Sequence, residues 1–282
     1  MGGLVAVERG VESEVERSRY GDWRNKLTAA VKRRHFDVGV YVEHVSSGES
    51  FEHNSKLSFP SASIIKLFIF HHLFTCGKEE KYRQEYLQRT VTHDRARAVP
   101  GGILHKVSDG ASLRLEDLAL LMLSVSDNTA TNILIDELGM SNINEAIQKL
   151  GASDTFLRRK MMDFEAKNAG RDNFTTPSDV AKVLGEILKN RRMVEMLSVQ
   201  KSTSTFPARL PFDDTDDVEA VLAHKTGGLP GITHDAGIFF YSADPVIAVA
   251  LTSGAPTCQE GSDFCADIGE ILYFAFAPKS EK

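Results

Sequence analysis

A serine, a lysine and a long apolar run occur together in residues 59–74, FPSASIIKLFIFHHLF. Proline suits the first turn of a helix and serine can cap free N–H groups, so Pro60 and Ser61 predict the start of a helix. The apolar residues that follow predict a helix that is buried on all sides. We therefore expect the rest of the chain to pack around this helix.

Ser63 and Lys66 lie three positions apart in this run, so on a helix their polar ends share one face. A serine in the first turn also lies where unpaired N–H groups and the helix dipole favour developing negative charge. Burial among apolar neighbours lowers the pKa of a lysine towards the neutral form that acts as a base. The pair predicts a nucleophilic serine with a lysine partner. The alternative is a helix cap beside a solvated charge.

Composition limits the class of protein. The chain has 282 residues, of which 42% are hydrophobic and 26% charged, as in ordinary globular proteins. A net charge of −6 and the lack of a long basic run argue against a nucleic-acid partner. No apolar stretch reaches about 20 residues, so no membrane span is expected. The first residues do not resemble a signal peptide, which leaves a cytoplasmic location and prior removal of an export signal both open.

The cysteine and histidine patterns predict neither a metal nor a cofactor. Cys76, Cys258 and Cys265 lack the spacing of metal ligands, and the nine histidines include no ligand motif. Three free thiols are expected, with a Cys258–Cys265 bridge as the alternative. The chain is expected to be a monomer.

Hydrophobic periodicity predicts the order of the elements. The sequence predicts an amphipathic helix over about residues 11–34 and a hairpin with strands over 37–43 and 49–53. The chain is then mostly helical to about residue 199, with helices over 113–122, 128–138, 141–150 and 177–188. Three strands over 218–223, 236–241 and 246–251 and a helix over 263–276 close it.

This order predicts an α/β (α+β) fold with one five-stranded antiparallel sheet built from both ends of the chain and flanked by the terminal helices. Residues 1–58 and 206–282 are expected to form the sheet subdomain, and residues 59–205 an all-α subdomain. We expect the active site at the interface between the two.

Two further motifs carry polar side chains. Residues 126–128, Ser-Asp-Asn, fall between two predicted helices, where a loop can present Ser126 and Asn128 to a cleft. A simple helix cap is the alternative interpretation.

Residues 225–228, Lys-Thr-Gly-Gly, come at the end of a strand-like run. Glycines on an edge strand let a substrate backbone approach closely, and Lys225 with Thr226 offers a carboxylate-binding pair. A basic turn is the alternative.

Taken together, Ser-x-x-Lys at 63–66, Ser-Asp-Asn at 126–128 and Lys-Thr-Gly at 225–227 occur in the order of a known motif set. The chain resembles the serine β-lactamase and penicillin-recognising superfamily, and class A in particular. The resemblance covers nearly the whole chain, because the predicted hairpin, helical insert and closing sheet follow the family's layout.

The resemblance implies a serine β-lactamase that opens the β-lactam ring through an acyl-enzyme. Ser63 would attack the carbonyl and Lys66 would take part in removing its proton. Ser126 would relay a proton to the departing nitrogen. The backbone N–H groups of Ser63 and Gly228 would form the oxyanion hole.

The resemblance also implies a substrate-binding set. Asn128 would hold the substrate's amide side chain, and Lys225 and Thr226 its carboxylate. Gly227 would let the substrate approach the strand. No arginine follows this motif, so His234 is the remaining candidate to assist carboxylate binding.

The segment that should support deacylation departs from the family pattern. Class A members carry Glu-x-x-Leu-Asn on an omega-shaped loop, whereas here Asn168 follows Glu165 by three residues and the leucine is missing. Glu165 is the first candidate for the deacylation base on this shortened loop and Asp163 the second. Both are alternatively salt-bridge partners of nearby arginines: Arg158, Arg159 or Arg171.

Two functions follow from this uncertainty over deacylation. The first is a β-lactamase that completes turnover. The alternative is a related serine D,D-peptidase or esterase with an acyl-D-Ala type of substrate. β-Lactams would acylate such an enzyme, and the acyl group would be released slowly. A non-enzymatic binding module is disfavoured because every acylation group is present. The glycine-rich residues 98–104 predict an open or mobile rim at the cleft.

Overall fold

A computed structural model describes residues 23–76, 80–210, 221–241 and 244–277. Parts of the predicted helix over 11–34 and of the predicted strand over 218–223 therefore lie outside the described residues. None of the helices in the described ranges combines the length and apolarity needed to cross a bilayer. All three cysteines are free thiols.

The described chain opens with a helix and a β-hairpin, as the sequence predicts. Helix α1 spans Trp23–Lys32, strand β1 spans Asp37–His44 and strand β2 spans Glu49–His53. Strands β1 and β2 pair antiparallel. The apolar residues of α1 recur on one face, and that face is buried.

The middle of the chain carries most of the helices. Strand β3 (Phe59–Pro60) leads through a short 3-10 turn (Ala62–Ile65) into helix α2 (Lys66–Thr75). Next come α3 (Glu80–Gln88), β4 (Thr90–Thr92), β5 (Ser112–Arg114), α4 (Leu115–Ser124), α5 (Asn128–Leu138) and α6 (Met140–Lys149). The segment ends with α7 (Phe164–Asn168), β6 (Phe174–Thr175), α8 (Pro177–Leu188) and α9 (Arg191–Leu197).

The closing segment completes the sheet. It consists of β7 (Leu222–Leu229), β8 (Ile232–Phe239), β9 (Val246–Ser253) and helix α10 (Cys258–Phe276). The strand order is β2-β1-β9-β8-β7, and every pairing is antiparallel. The α/β fold with a five-stranded antiparallel sheet is confirmed, with β7 at an edge. The subdomain boundaries at 58/59 and 205/206 stay a prediction.

The sheet separates two apolar cores. On β9, three residues face the core that contains α1 and α10: Val246, Ala248 and Ala250. The residues between them face the core of the helical segment: Ile247, Val249 and Leu251. Side chains alternate across a strand, so a strand covered on both faces is apolar throughout. This explains the unbroken apolar run at residues 246–251.

Strand β7 begins later and runs further than its sequence predicts. The apolar run suggested a strand over 218–223, whereas β7 runs from Leu222 to Leu229 and includes the whole Lys-Thr-Gly-Gly motif. Its pairing with β8 extends from Leu222 opposite Phe239 to Leu229 opposite Ile232. Backbone pairing along this length outweighs the poor strand propensity of two glycines. The whole motif therefore lies within the edge strand β7.

Candidate active site

The proposed nucleophile is held on a short turn and not in an α-helix. Ser63 lies in the 3-10 turn, and α2 begins only at Lys66. Ser61 makes no side-chain cap, so the predicted role of its hydroxyl is wrong. Its backbone N–H instead donates to the carbonyl of Asn173 at 2.8 Å. Ala62 has a φ of 45°, a left-handed conformation that persists only where its surroundings impose it.

Lys66 is fully buried at the start of α2. Its Nζ lies 2.6 Å from the backbone oxygen and 3.0 Å from the hydroxyl of Ser126, and 2.9 Å from Oδ1 of Asn128. Burial, reinforced by the charge of Lys225, lowers the pKa of Lys66 well below its ordinary value, and the charge of Asp127 opposes this. A lowered pKa gives Lys66 the neutral form that accepts a proton.

Ser126 connects the other two polar groups. Its Oγ lies 3.0 Å from Oγ of Ser63 and 3.0 Å from Nζ of Lys66. Because hydroxyl hydrogens can rotate, Ser63 can donate to Ser126 while Ser126 donates to Lys66. The remaining hydrogens of a neutral Lys66 amine satisfy the Ser126 carbonyl and Asn128. The three side chains therefore form a continuous path for a proton.

Asp127, the middle residue of the Ser-Asp-Asn motif, supports this arrangement through its hydrogen bonds. The sequence motif did not reveal this role. It is fully buried, and its carboxylate caps α5 by accepting from Ala130 N at 2.9 Å. The same carboxylate accepts from Ile103 N and Leu104 N at 2.7 Å each. It thus ties Ile103 and Leu104, on the connection between β4 and β5, to the segment that contains Ser126.

We expect Asp127→Ala to lower the free energy of unfolding by about 3 kcal/mol, because three backbone N–H groups, two of them in buried hydrogen bonds, lose their acceptor. Urea denaturation measures this change. Asp109 provides a matched control, since this exposed carboxylate accepts a single backbone hydrogen bond from Arg95 N. Asp109→Ala should change the stability by less than about 1 kcal/mol. Equal losses in the two variants would contradict the role of Asp127.

The glycine-rich rim is held against the Ser-Asp-Asn segment. Asn128 N donates to the carbonyl of Gly101 at 3.1 Å, and its side-chain amide donates to that of Pro100 at 2.8 Å. A Cβ on Gly101 would lie 2.4 Å from the Asn128 amide, and one on Gly102 would lie 2.5 Å from Cα of Asp127. The close approach of Asp127 and Asn128 therefore explains these two glycines. The rim is held by these contacts, in place of the open or mobile rim that the sequence predicted.

Edge strand β7 brings the third motif to the nucleophile. A Cβ on Gly227 would lie 3.2 Å from the backbone nitrogen of Ser63, so only a glycine fits without displacing the turn. Lys225 is fully buried, and its Nζ donates to the carbonyl of Thr226 at 2.8 Å. Burial lowers the pKa of Lys225 to about 7, and the charge of Asp235 opposes this shift.

His234 does not join this group. It is fully buried on β8, and its Nε2 donates to the carbonyl of Pro60 at 2.8 Å. Its Nδ1 accepts from Thr252 N at 3.1 Å, so both ring nitrogens are occupied. Burial lowers the pKa of His234 to about 4, which keeps the ring neutral. His234 therefore ties the sheet to the segment before Ser63, and its geometry does not suit carboxylate binding.

Glu165 and Asp163 also lie apart from the group. Both are exposed on or beside α7, and Asp163 caps that helix by accepting from Ala166 N at 2.9 Å. Neither forms the predicted salt bridge with Arg159, whose Nε donates to Asp172 at 2.7 Å in a buried pair. Among the described residues, Glu165 makes no hydrogen bond to Ser63 or Lys66.

A different residue of this loop lies against the helix that carries Asn128. Met161 N donates to Oδ1 of Asn132 at 2.8 Å, and the amide of Asn132 donates back to the Met161 carbonyl at 3.1 Å. Asn132 follows Asn128 by one turn of α5, so the two amides share a face of that helix. The residue of this loop that is fixed against α5, the helix that carries Asn128, is therefore Met161. Its side chain is a thioether and not a carboxylate.

These features define a class of protein: a serine hydrolase whose nucleophile, buried lysine and second serine come from separate segments beside an edge strand. A profile of the beta-lactamase enzyme family matches residues 22–276. The chain therefore belongs to the beta-lactamase enzyme family and is a hydrolase of the class A type.

Individual relatives are distant but cover most of the chain. A beta-lactamase of Streptomyces albus G is 28% identical over 253 residues, which are 83% of this chain and 78% of the relative. An imipenem-hydrolyzing beta-lactamase of Enterobacter cloacae is 27% identical over 247 residues, 83% of this chain and 82% of the relative. The crystal structure of a beta-lactamase from Sphaerobacter thermophilus has a TM-score of 0.78 and 27% identity, covering 92% of this chain and 99% of that chain.

Proposed function

We propose that the protein hydrolyses β-lactams through an acyl-enzyme on Ser63, in a cleft between the sheet subdomain and the all-α subdomain. The observation that carries this proposal is the hydrogen-bonded path from Ser63 Oγ through Ser126 Oγ to Lys66 Nζ. It joins a nucleophile to a buried amine whose lowered pKa suits a base.

The proposed acylation balances its protons along this path. Ser63 Oγ attacks the lactam carbonyl while its proton passes to Ser126, and the proton of Ser126 passes to neutral Lys66. The carbon–nitrogen bond of the ring then breaks, and Ser126 protonates the departing nitrogen while recovering a proton from Lys66. Lys66 ends neutral, as it began, and Ser63 carries the acyl group.

Backbone and side-chain groups of β7 complete the proposed site. The N–H groups of Ser63 and Gly228 would stabilise the oxyanion, with the close approach of Gly227 to Ser63 setting their separation. Lys225 and Thr226 would bind the substrate carboxylate. Asn128, already fixed between Lys66 and Pro100, would hold the substrate's amide side chain.

Deacylation is the weaker half of the proposed reaction. Among the described residues, no carboxylate is hydrogen-bonded to Ser63, Lys66 or Ser126. We therefore assign the proton of the attacking water to the same Ser126–Lys66 path. A dedicated general base contributes about 10²–10⁴-fold, so without one this step should limit turnover.

This feature favours a second candidate function. The protein would then be a D,D-peptidase or esterase that accepts an acyl-D-Ala type of substrate. β-Lactams would acylate it, and the acyl group would be released slowly. The supporting observation is the exposed position of Glu165 together with Met161 at the part of the loop fixed to α5.

Nitrocefin turnover combined with mass spectrometry of the intact protein separates these functions. Steady hydrolysis without a lasting adduct supports the β-lactamase. A penicilloyl adduct that persists for minutes, mapped to the peptide containing Ser63, supports the second candidate. Neither hydrolysis nor adduct would show that the three motifs do not form a working site.

We expect Glu165→Gln to deacylate within about twofold of the parent rate, because this exposed carboxylate is not hydrogen-bonded to Ser63, Lys66 or Ser126. The decay of the penicilloyl adduct, followed by mass spectrometry, measures this rate. A slowing of about 10²-fold, with accumulated adduct, would instead identify Glu165 as the base that the sequence suggested.

A further inference from the structure

A cluster of buried polar residues lies on β7 and β8, on the face of the sheet opposite Lys225. Neighbouring side chains of a strand point to opposite faces, so His224 and Lys225 are on different sides of the sheet. Asp235 on β8 is the register partner of Thr226, the residue after Lys225. Asp235 is fully buried and His224 almost so. The proposed reaction uses neither side chain.

The Asp235 carboxylate receives hydrogen bonds from three donors. Thr205 Oγ1 donates at 2.6 Å and Phe206 N at 3.0 Å, both to Oδ2. His224 Nδ1 lies 2.9 Å from Oδ1 and 3.0 Å from Oδ2. An ionised carboxylate only accepts hydrogen bonds, and each of these partners can donate. The geometry is therefore that of a buried anion.

Among the described residues, no lysine or arginine forms a salt bridge with the Asp235 carboxylate, and its nearest basic group is the ring of His224. His224 directs Nδ1 at this carboxylate, and its Nε2 is buried without a hydrogen-bond partner. On the side of α10, burial and the charge of Asp235 raise the pKa of Cys265, which keeps that thiol neutral. The charge of Arg34 has a weaker, opposite effect on the pKa of Cys265.

Lys225, in contrast, has no carboxylate partner of its own. Among the described residues it makes no salt bridge, and its ammonium donates to the carbonyl of Thr226. Lys66 is the other buried amine of the cleft, and the two charges repel one another. A buried, unpaired ammonium is costly, so the charge of Lys225 depends on its surroundings.

We propose that Asp235 is a positioning residue that keeps Lys225 charged for carboxylate binding while acting from the opposite face of the sheet. This inference rests on the proposed carboxylate-binding role of Lys225. It also separates the two buried lysines: Lys66 serves as a neutral base, whereas Lys225 serves as a cation.

Asp235→Asn tests the inference because it removes the charge and keeps the shape. We expect the apparent dissociation constant for benzylpenicillin before acylation to rise about tenfold at pH 7.5, with the limiting acylation rate retained. Loss of the anion favours neutral Lys225, so the alkaline decline of binding should move about one pH unit lower. Stopped-flow measurement of acylation against concentration and pH separates these two quantities.

Two controls distinguish charge from structure. The methyl ester of benzylpenicillin lacks the carboxylate, so its acylation profile should be the same in the parent and in Asp235→Asn. Thr205→Val removes one hydrogen bond to Asp235 and keeps the anion, so it should leave the pH profile for benzylpenicillin in place. An unchanged profile in Asp235→Asn, or equal shifts in both variants, overturns the inference.

A measurement on the parent protein covers the case in which Asp235→Asn does not fold. Carbon-13 NMR of the Lys225 Cε, assigned with Lys225→Arg, should show a protonated amine at pH 6.5 and a titration midpoint near 7. A midpoint below about 6 would mean that Asp235 does not keep this lysine charged. If the parent forms no adduct at all, the proposed function fails, whereas a midpoint below about 6 would still overturn the charged state proposed for Lys225.

Discussion

Lys66→Met should slow the acylation of Ser63 by benzylpenicillin about 10³-fold, the range expected when a general base is lost. Methionine fills the buried position of Lys66 with a side chain of similar length but cannot accept a proton. The path from Ser63 through Ser126 would then end without a base. The rate at which the penicilloyl adduct appears, followed by mass spectrometry, measures the loss.

Lys66→Arg distinguishes a base from a fixed positive charge. Arginine stays protonated at all accessible pH values, so this variant should be as slow as Lys66→Met. Since acylation needs neutral Lys66, the parent rate should fall as the pH falls through the pKa of this lysine. Burial lowers that pKa, so the acylation rate should be maintained at neutral pH. A fast Lys66→Arg variant with an unchanged melting temperature would show that Lys66 acts only through its charge.

The sequence predicts that the separate motifs come together at one site, because their order along the chain matches a known set. Ser63, Lys66, Ser126 and Asn128 are joined by hydrogen bonds, although about 60 residues separate the two pairs. The path itself could not be predicted. Spacing on a helix suggested a direct bond between Ser63 and Lys66, whereas the 3-10 turn directs Lys66 to Ser126.

The roles of His234 and Asp235 could not be predicted from the sequence. Strand β8 is buried along its whole length, so no alternation of polar and apolar residues reveals which residue faces the cleft. His234 contacts the segment before Ser63, whereas Asp235 faces α10 and the turn at Phe206. A shift of one residue in the register would exchange these faces.

Glu165 illustrates a similar limit in a loop. Its position three residues before Asn168 on the shortened loop made it the first candidate, but spacing alone does not determine the path of an irregular segment. The buried Arg159–Asp172 pair closes the loop, and Asn173 accepts from the backbone of Arg158 and Arg159 at 2.7 and 3.0 Å. These contacts fix Met161 next to α5 and leave Glu165 in solvent.

Gly227→Val should slow acylation about 10²-fold, which corresponds to the loss of one oxyanion-hole donor. The first carbon of any side chain at this position would lie 3.2 Å from Ser63 N and 3.3 Å from Cβ of Ala62. The branched carbons of valine extend further, so either β7 or the turn must move. Movement of either changes the distance between the N–H groups of Ser63 and Gly228 on which the oxyanion depends.

A graded series tests this steric explanation. Gly227→Ala should cost less than Gly227→Val, because its Cβ needs a displacement of only a few tenths of an ångström. Gly228→Ala retains its backbone N–H and places its Cβ 4.0 Å from the nearest atom, so acylation should fall only severalfold. Acylation rates that follow this order, with similar melting temperatures, support the oxyanion hole at β7. If Gly227→Val acylates at the parent rate, the oxyanion is stabilised elsewhere, because the close contact between β7 and Ser63 would then be irrelevant to the chemistry.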